Sequence, residues 1–448
     1  MEQCLDGRDG RGVPRSEPAS LPVGGQEFRR LVLSWTGSMT GDGIRVVALP
    51  LLTVSVDPSP GAVGLVAAIT ALPWLLLAVP AGVLVDRRNA RTLLVVAHLL
   101  RALLTLAVVG LIAGGLARGG GPFSPGVGIA TLCVVGFAIT AVETMGDAAS
   151  QTLLLRVVPR NGLERANARF VTVETLALDL AGPLSAGVLF VLAPWLPFAF
   201  SAAAFLVATA AVLRLPATRG DPDTTSTDHP LADIRAGLSR LVRDDVLRTL
   251  VLTVAVLAMA NAAADAVLVL YSTQVLAMPE QFYPTLLAAY SVGTLLAAAL
   301  VGRFLRRLRG GQIMVLAIAG LALAMVLLGL WPAVGVALAA YALLGLAGGT
   351  WNVLSATRRQ RQTPHAMIGR VSSAFRVVAW GVLPIGAGLG GTLGEHLGVP
   401  MVFLIAGVVT AVAGLAVARS FWSTEPRGMD DEAPAPDPTG GTGDGAGR

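Results

Sequence analysis

Six carboxyl side chains stand inside otherwise apolar stretches of this sequence: Asp42, Glu143, Asp147, Glu174, Asp179 and Asp265. Removing a charge from water is costly, so a carboxyl in such a place binds a proton, meets a cation or pairs with a base. Asp42 and Arg45 are three apart and share one helical face. They form either a self-neutralising structural pair or a proton or substrate site; the adjacent arginine opposes protonation. Asp265 follows Asn261 by one turn and has no base within a turn. Desolvation therefore penalises its charged form, which makes it the first candidate for carrying a proton. Glu143 and Asp147 share a face, and Asp147 is close enough to the end of its run to meet a loop arginine. Glu174 and Asp179 are five apart, so they point about 140° away from each other on a helix. Asp179 shares its face with Gly182 and Pro183; it is either a coupling carboxylate or a partner for Arg101. Trp351, Asn352 and Trp380 either stack on a bulky ligand or pack between helices.

Other chemistry finds no support in the residues. Cys4 and Cys133 are the two cysteines, and His98, His229, His365 and His396 are scattered. No metal-ligand spacing, nucleophile triad or phosphate-cradling glycine loop with lysine is present, so neither a metal, a cofactor nor ATP is expected. The sequence carries no lysine, and its arginines fall in short clusters rather than on one basic face, which argues against nucleic acid as a partner.

The elements that must hold these groups are apolar and long. The 448 residues are 54% hydrophobic and 14% charged, against roughly 25% charged in soluble domains. Too few charges remain to cover a water-exposed surface, and a lipid bilayer is the expected surrounding. Apolar runs fall near 30–56, 62–85, 92–114, 126–147, 168–193, 196–214, 248–277, 284–305, 312–331, 333–355, 371–394 and 398–419. Each approximates the ~20 residues that cross a hydrocarbon core as a helix. The fold class expected is an all-α membrane protein of about 12 transmembrane helices.

Arginines sit before the first run (Arg29, Arg30) and in alternate connections. These are Arg87, Arg88 and Arg91; Arg156, Arg160, Arg165 and Arg169; Arg303, Arg306, Arg307 and Arg309; and Arg358, Arg359, Arg361 and Arg370. The other connections are nearly bare, with Arg118 the exception. The positive-inside rule then puts both termini in the cytoplasm of a plasma-membrane protein. The expected organisation is a cytoplasmic tail over 1–27, a six-helix bundle over 28–215 and a cytoplasmic linker over 216–246. A second six-helix bundle follows over 247–420, then a disordered cytoplasmic tail over 421–448. Within the linker, Leu231, Ile234, Leu238, Leu241 and Val242 repeat at helical spacing, the pattern of an amphipathic helix on the inner membrane surface.

The halves repeat one another. Leu75-Leu76, Ala78, Gly82 and Arg87 recur as Leu295-Leu296, Ala298, Gly302 and Arg307. Likewise Thr152, Arg156, Pro159, Arg165 and Phe170 recur as Thr357, Arg361, Pro364, Arg370 and Phe375. Asn261 falls on Asp42. Two pseudo-symmetric six-helix bundles in parallel repeat place a substrate site at their interface.

At this point the chain resembles the major facilitator superfamily over residues 28–420. Gly82, Asp86, Arg87 and Arg91 match its loop signature G-x-x-x-D-R-x-G-R-R, with Asn89 and Ala90 where Gly and Arg are usual. Gly41-Asp42 before Val47-Ala48-Leu49-Pro50, Glu164-Arg165-Ala166-Asn167, and Thr363-Pro364 to Gly369-Arg370-Val371 are similar to its macrolide-efflux and enterobactin-exporter branch. Gly182-Pro183-Leu184-Ser185-Ala186-Gly187 resembles the antiporter pattern G-P-x-x-G-G, with Ala in one Gly place. The resemblance implies a monomeric secondary transporter working by alternating access, with Gly82, Asp86, Arg87 and Arg91 as a cytoplasmic gate. It implies proton-coupled export of a bulky amphipathic small molecule such as an antibiotic, macrolide or siderophore. An importer or facilitator of the same fold, and a receptor or assembly factor without transport, are the alternatives.

Overall fold

The computed structural model describes residues 25–116, 124–159, 162–215, 230–364 and 367–422. Most of both expected tails, Cys4, His229, His365 and the 216–229 stretch of the linker lie outside the described residues, as do the side chains of Asp86, Leu231 and Ile234.

Among the described residues, twelve helices are long and apolar enough to span a membrane. The first six are α1 (Gln26–Val56), α2 (Pro60–Val85), α3 (Ala90–Ala113), α4 (Pro125–Val157), α5 (Leu163–Leu192) and α6 (Leu196–Leu213). The second six are α7 (Asp245–Ala266), α8 (Glu280–Leu305), α9 (Gly310–Leu330), α10 (Val334–Gln362), α11 (Gly369–Leu397) and α12 (Val399–Phe421). No strand is present among the described residues.

Local chemistry sets several starts. The Ser59 side chain accepts from the Ala62 amide ahead of Pro60, and the Asp244 carboxylate accepts from the amides of Val246 and Leu247. Asn89 accepts from the amides of Arg91 and Thr92, so the residue that departs from the family's Gly is the N-cap of α3.

Two helices run well past the ends of their apolar runs. α4 and α10, equivalent in the repeat, continue to Val157 and Gln362, so Arg156, Arg358, Arg359 and Arg361 sit on helical turns rather than in loops. Hydropathy alone misses these ends because the extra turns carry polar side chains. Within the run 248–277, α7 stops at Ala266 and is followed by a short helical turn, Leu268–Leu270, and a π-helical turn, Tyr271–Val275.

Helix packing obeys the repeat. Within the first half α2 packs on α4, α3 on α4 and α6, and α1 on α5 and α6. In the second half α8 packs on α10, α9 on α10 and α12, and α7 on α11 and α12. Between halves the main junctions are α2 with α11 and α5 with α8, which exchange under the same pseudo-twofold.

The buried core divides unevenly. At the arginine-poor end, Leu51, Leu52, Val56 and Val63 of the first half share one apolar cluster with Val267, Leu268 and Leu270 of the second. At the arginine-rich end the first half keeps a separate cluster, including Phe28, Leu31, Leu94, Leu153 and Phe170. The halves are thus continuous at one end only. The linker helix, Pro230–Arg243, packs on the start of α11, with Gly237 against the Arg370 carbonyl and Leu241 buried. Leu238 and Val242 remain exposed, so part of the expected surface helix is taken up by α11.

Candidate functional site

A chain of ion pairs crosses the first half. Arg101 on α3 donates to Asp42 on α1 and, at 2.9 Å, to the Ser38 hydroxyl. Its guanidinium lies 4.2 Å over the ring of Phe205 on α6. Arg45 is 3.6 Å from Asp42 but 2.5 Å from Glu143 on α4. The local pair Asp42–Arg45 is thus present but not self-contained: Asp42 is shared, with Arg101 nearer, and Arg45 turns toward Glu143. Arg101 is likewise not the partner of Asp179. One turn above Arg101, His98 Nε2 is 3.1 Å from Ser34 Oγ, extending the polar line along α1 and α3.

The remaining acids of the first half stand beyond this chain. Asp147 lies within electrostatic reach of Glu143, Arg101, Glu174 and Arg45, so it belongs to the intramembrane cluster rather than to the loop arginines. Glu174 and Asp179 are exposed near the middle of α5, and Glu174 reaches Asp179. Asp179 sits in a π-helical stretch, Thr175–Ala181, ahead of Gly182-Pro183. Such a stretch re-aims side chains, and π-bulges recur at functional sites. The antiporter-like motif makes two close approaches. A Cβ at Gly182 would meet the Gly43 backbone at 2.7 Å, and one at Gly187 would meet Pro284 of α8 at 2.7 Å. The first seats α5 beside Asp42; the second joins the halves.

In the second half, Asp265 is accessible at mid-span and accepts from Asn261 Nδ2 at 2.6 Å. Its hydrogen-bond donor is the carboxamide one turn before it, and no base pairs with it among the described ion pairs. Asp265 is within electrostatic reach of Tyr283, Tyr290 and Tyr341, and Tyr290 is also reached by Asp179. The neighbouring Ser291 hydroxyl donates to the Asp179 carbonyl at 3.0 Å. Ser291 thus ties the α5 backbone at Asp179 to α8, and the adjacent Tyr290 lies within electrostatic reach of both Asp179 and Asp265. Sequence reasoning missed these tyrosines and the Ser34–His98 contact. Tyr290 lies eight residues before Ala298, whose repeat partner is Ala78, and its own partner is Thr70, so the repeat matched a hydroxyl there but no aromatic ring.

The junctions close one end of the cleft. At the arginine-poor end the Gly61 amide donates to Glu395 at 3.1 Å and Gln274 donates to the Pro58 carbonyl at 3.2 Å. Gly64 and Gly391 touch backbone to backbone. At mid-depth Trp74 meets Trp380 edge-on at 4.8 Å, with Arg376 5.6 Å over the Trp380 ring. Farther along, a Cβ at Gly82 or at its repeat partner Gly302 would meet nothing within 4 Å. Across the junction α2 packs mainly on the Leu383–Leu397 part of α11 and little on Ile368–Gly381, so the cleft opens toward the arginine-rich end. Of the gate residues, Arg87 is exposed, and Arg91 donates to the Leu213 carbonyl at 2.6 Å and the Val212 carbonyl at 3.3 Å, capping α6 in its own half. Trp351 is buried against Phe421 at 6.1 Å and packs in the second half rather than lining the cleft; Asn352 is exposed. Among the described residues no cluster of His, Cys, Asp and Glu could hold a metal ion.

Comparison with known proteins agrees with this architecture. The profile of the Major Facilitator Superfamily matches residues 31–385. The enterobactin exporter EntS of Escherichia coli O1:K1 / APEC is 27% identical over 378 residues, 83% of this chain and 86% of that protein. A bacterial homologue of the iron transporter ferroportin, solved in an inward-facing state, superposes with TM-score 0.71 at 17% identity, covering 88% of this chain and 98% of that one. The outward-facing structure bearing the same description gives TM-score 0.59 at 18% identity over 89% and 100%. These structural likenesses carry the fold, and the profile match carries the family. With twelve membrane spans, two pseudo-symmetric halves and a cleft between them, the chain belongs to the Major Facilitator Superfamily of multi-pass membrane transporters of small molecules.

Proposed function

We propose that this transporter is a proton-coupled exporter of a bulky amphipathic small molecule, working as a monomer in the plasma membrane with both termini in the cytoplasm. The observation that carries the reading is the one-ended cleft. Its open end is the arginine-rich end, which the positive-inside rule assigns to the cytoplasm, and its walls present accessible carboxylates at mid-span. A site open to the cytoplasm takes up its load there, and closing Gly82 and Gly302 while parting Gly64 from Gly391 would release it outside. Asp265 is the proposed proton carrier: its residue is exposed at mid-span, and its hydrogen-bond donor is the neutral Asn261 rather than a base. Asp86, Arg87 and Arg91 form the proposed gate. The similarity to an enterobactin exporter supports the direction and a substrate of siderophore or antibiotic size.

A resistance and efflux screen in a pump-deficient bacterial host tests this. Expression of the wild-type chain lowers cellular accumulation of at least one amphipathic compound, and collapse of the proton gradient restores it. Accumulation raised by expression, or unaffected by the gradient, would favour an importer or facilitator instead.

A further inference from the structure

The linker helix, Pro230–Arg243, has sides of different character. Gly237 and Leu241 face the second half. A Cβ at Gly237 would meet the Arg370 carbonyl, with the Ala374 Cβ at 3.0 Å, and Leu241 is fully buried. Arg370 and Ala374 belong to the first two turns of α11, so the linker helix lies at the depth where that span begins. Leu238, Val242, Arg235 and Arg243 are exposed. Round the helix axis Gly237 and Leu241 come first, then Leu238 and Val242, then Arg235 and Arg243. Each pair stands about 90° on from the one before. The apolar strip therefore runs between the side docked on α11 and the basic side.

The charges on that basic side are uncompensated. Arg240 pairs with Asp244 at 3.2 Å and Arg248 with Asp245 at 2.8 Å, which occupies the acids at the start of α7. Arg235 and Arg243 take part in no ion pair among the described residues. Two exposed apolar side chains and two exposed guanidiniums thus stand side by side at the end of a span. A helix so divided settles at the boundary of acyl chains and headgroups, and anionic lipid strengthens its hold. The guanidinium fork also matches the oxygens of a phosphate.

We propose that the exposed side of the linker helix is a docking surface for anionic phospholipid of the adjacent leaflet. Headgroup phosphates meet Arg235 and Arg243, and acyl chains lie against Leu238 and Val242. A zwitterionic lipid offers the same phosphate but offsets it with its own ammonium group, so the surface selects by net headgroup charge. The site stands on the Ile368–Gly381 part of α11, which α2 holds little, and so on the wall of the open end rather than on the closed junction. The inference goes beyond the transport reading and depends on neither its direction nor its coupling.

Full-length protein carrying Cys4→Ser, Cys133→Ser and Leu238→Cys is labelled with bimane and placed in phosphatidylcholine nanodiscs. Part of the lipid is replaced by phosphatidylcholine or phosphatidylglycerol with brominated acyl chains, which quench a fluorophore they touch. The ratio of the two quenching curves gives the relative association of the two lipids at position 238. Phosphatidylglycerol should be preferred by about fivefold or more at low salt, the contribution expected of one or two arginines at an anionic surface. High salt should reduce that preference. Arg235→Gln with Arg243→Gln should bring the ratio close to one while quenching by brominated phosphatidylcholine persists, which reports a helix still in place. Either single variant should give an intermediate ratio and keeps the test readable if the double variant folds poorly. Bimane at Leu192→Cys, an exposed position at the arginine-poor end of α5, should show no preference. Equal association of the two lipids at position 238, no quenching by either, a preference that survives loss of both arginines, or the same preference at position 192 would overturn the proposal.

Discussion

Arg101 and Asp42 form a buried ion pair between α3 and α1, both side chains being nearly inaccessible, at 0% and 2%. With Phe205 beneath the guanidinium, one arginine ties three helices of the first half together.

Removing one member of that pair strands the other in apolar surroundings. Asp42→Asn should lower stability by about 3–5 kcal/mol, and Arg101→Met by a similar amount. The double variant should recover part of the loss. Thermal unfolding in detergent of a Cys4→Ser background, followed by a thiol-reactive dye at the buried Cys133, measures this. Additive losses in the double variant would show that the pair is not coupled.

Gly64 and Gly391 allow α2 and α11 to meet at the closed end, where Gly391 as alanine would place its Cβ 2.8 Å from the Gly64 Cα. Gly64→Leu should part the halves there and shift the population away from this conformation. Substrate flux should fall about tenfold or more at unchanged membrane abundance. Gly110→Leu, with open space around it, is the matched control and should transport normally.

Gly82 and Gly302 pose the opposite case. Large side chains fit both positions in the present conformation, since nothing lies within 4 Å of a Cβ. Gly82→Trp and Gly302→Trp should therefore fold and insert, yet fail to transport because the open end cannot close. A variant that keeps wild-type flux would place the moving surfaces elsewhere.

The spans and their pairing were legible because membrane burial of a backbone demands long apolar helices, and because the two halves repeat. The loop repeat that linked Gly82 to Gly302 predicted two positions with the same open surroundings. Partner choice among ions was not legible. Spacing along one helix suggested Arg45 for Asp42, but the nearer base, Arg101, lies on another helix, and helix-to-helix register leaves no trace in a single helix's periodicity. Trp351 looked the same as Trp380 in sequence; only packing separates the buried ring from the one at the α2–α11 junction. The π-helical turn that carries Asp179 has no composition signal beyond the Gly182-Pro183 that follows it.

The sidedness of the open end rests on arginine placement, so it needs its own test. In a background with Cys4→Ser and Cys133→Ser, Arg306→Cys should resist an impermeant thiol reagent applied to intact cells, while Trp331→Cys should react. The reverse labelling would invert the topology and with it the direction of transport.

The central claim is that Asp265 couples proton entry to substrate exit. Wild-type protein in proteoliposomes should move a compound identified by the efflux screen uphill when a pH gradient is imposed, and lose that movement without it. Asp265→Asn should abolish pH-driven uphill movement while downhill exchange continues, since a carboxamide can neither bind nor release the proton. Full pH-driven accumulation by Asp265→Asn would contradict the account and pass the coupling role to Asp179 or Glu143.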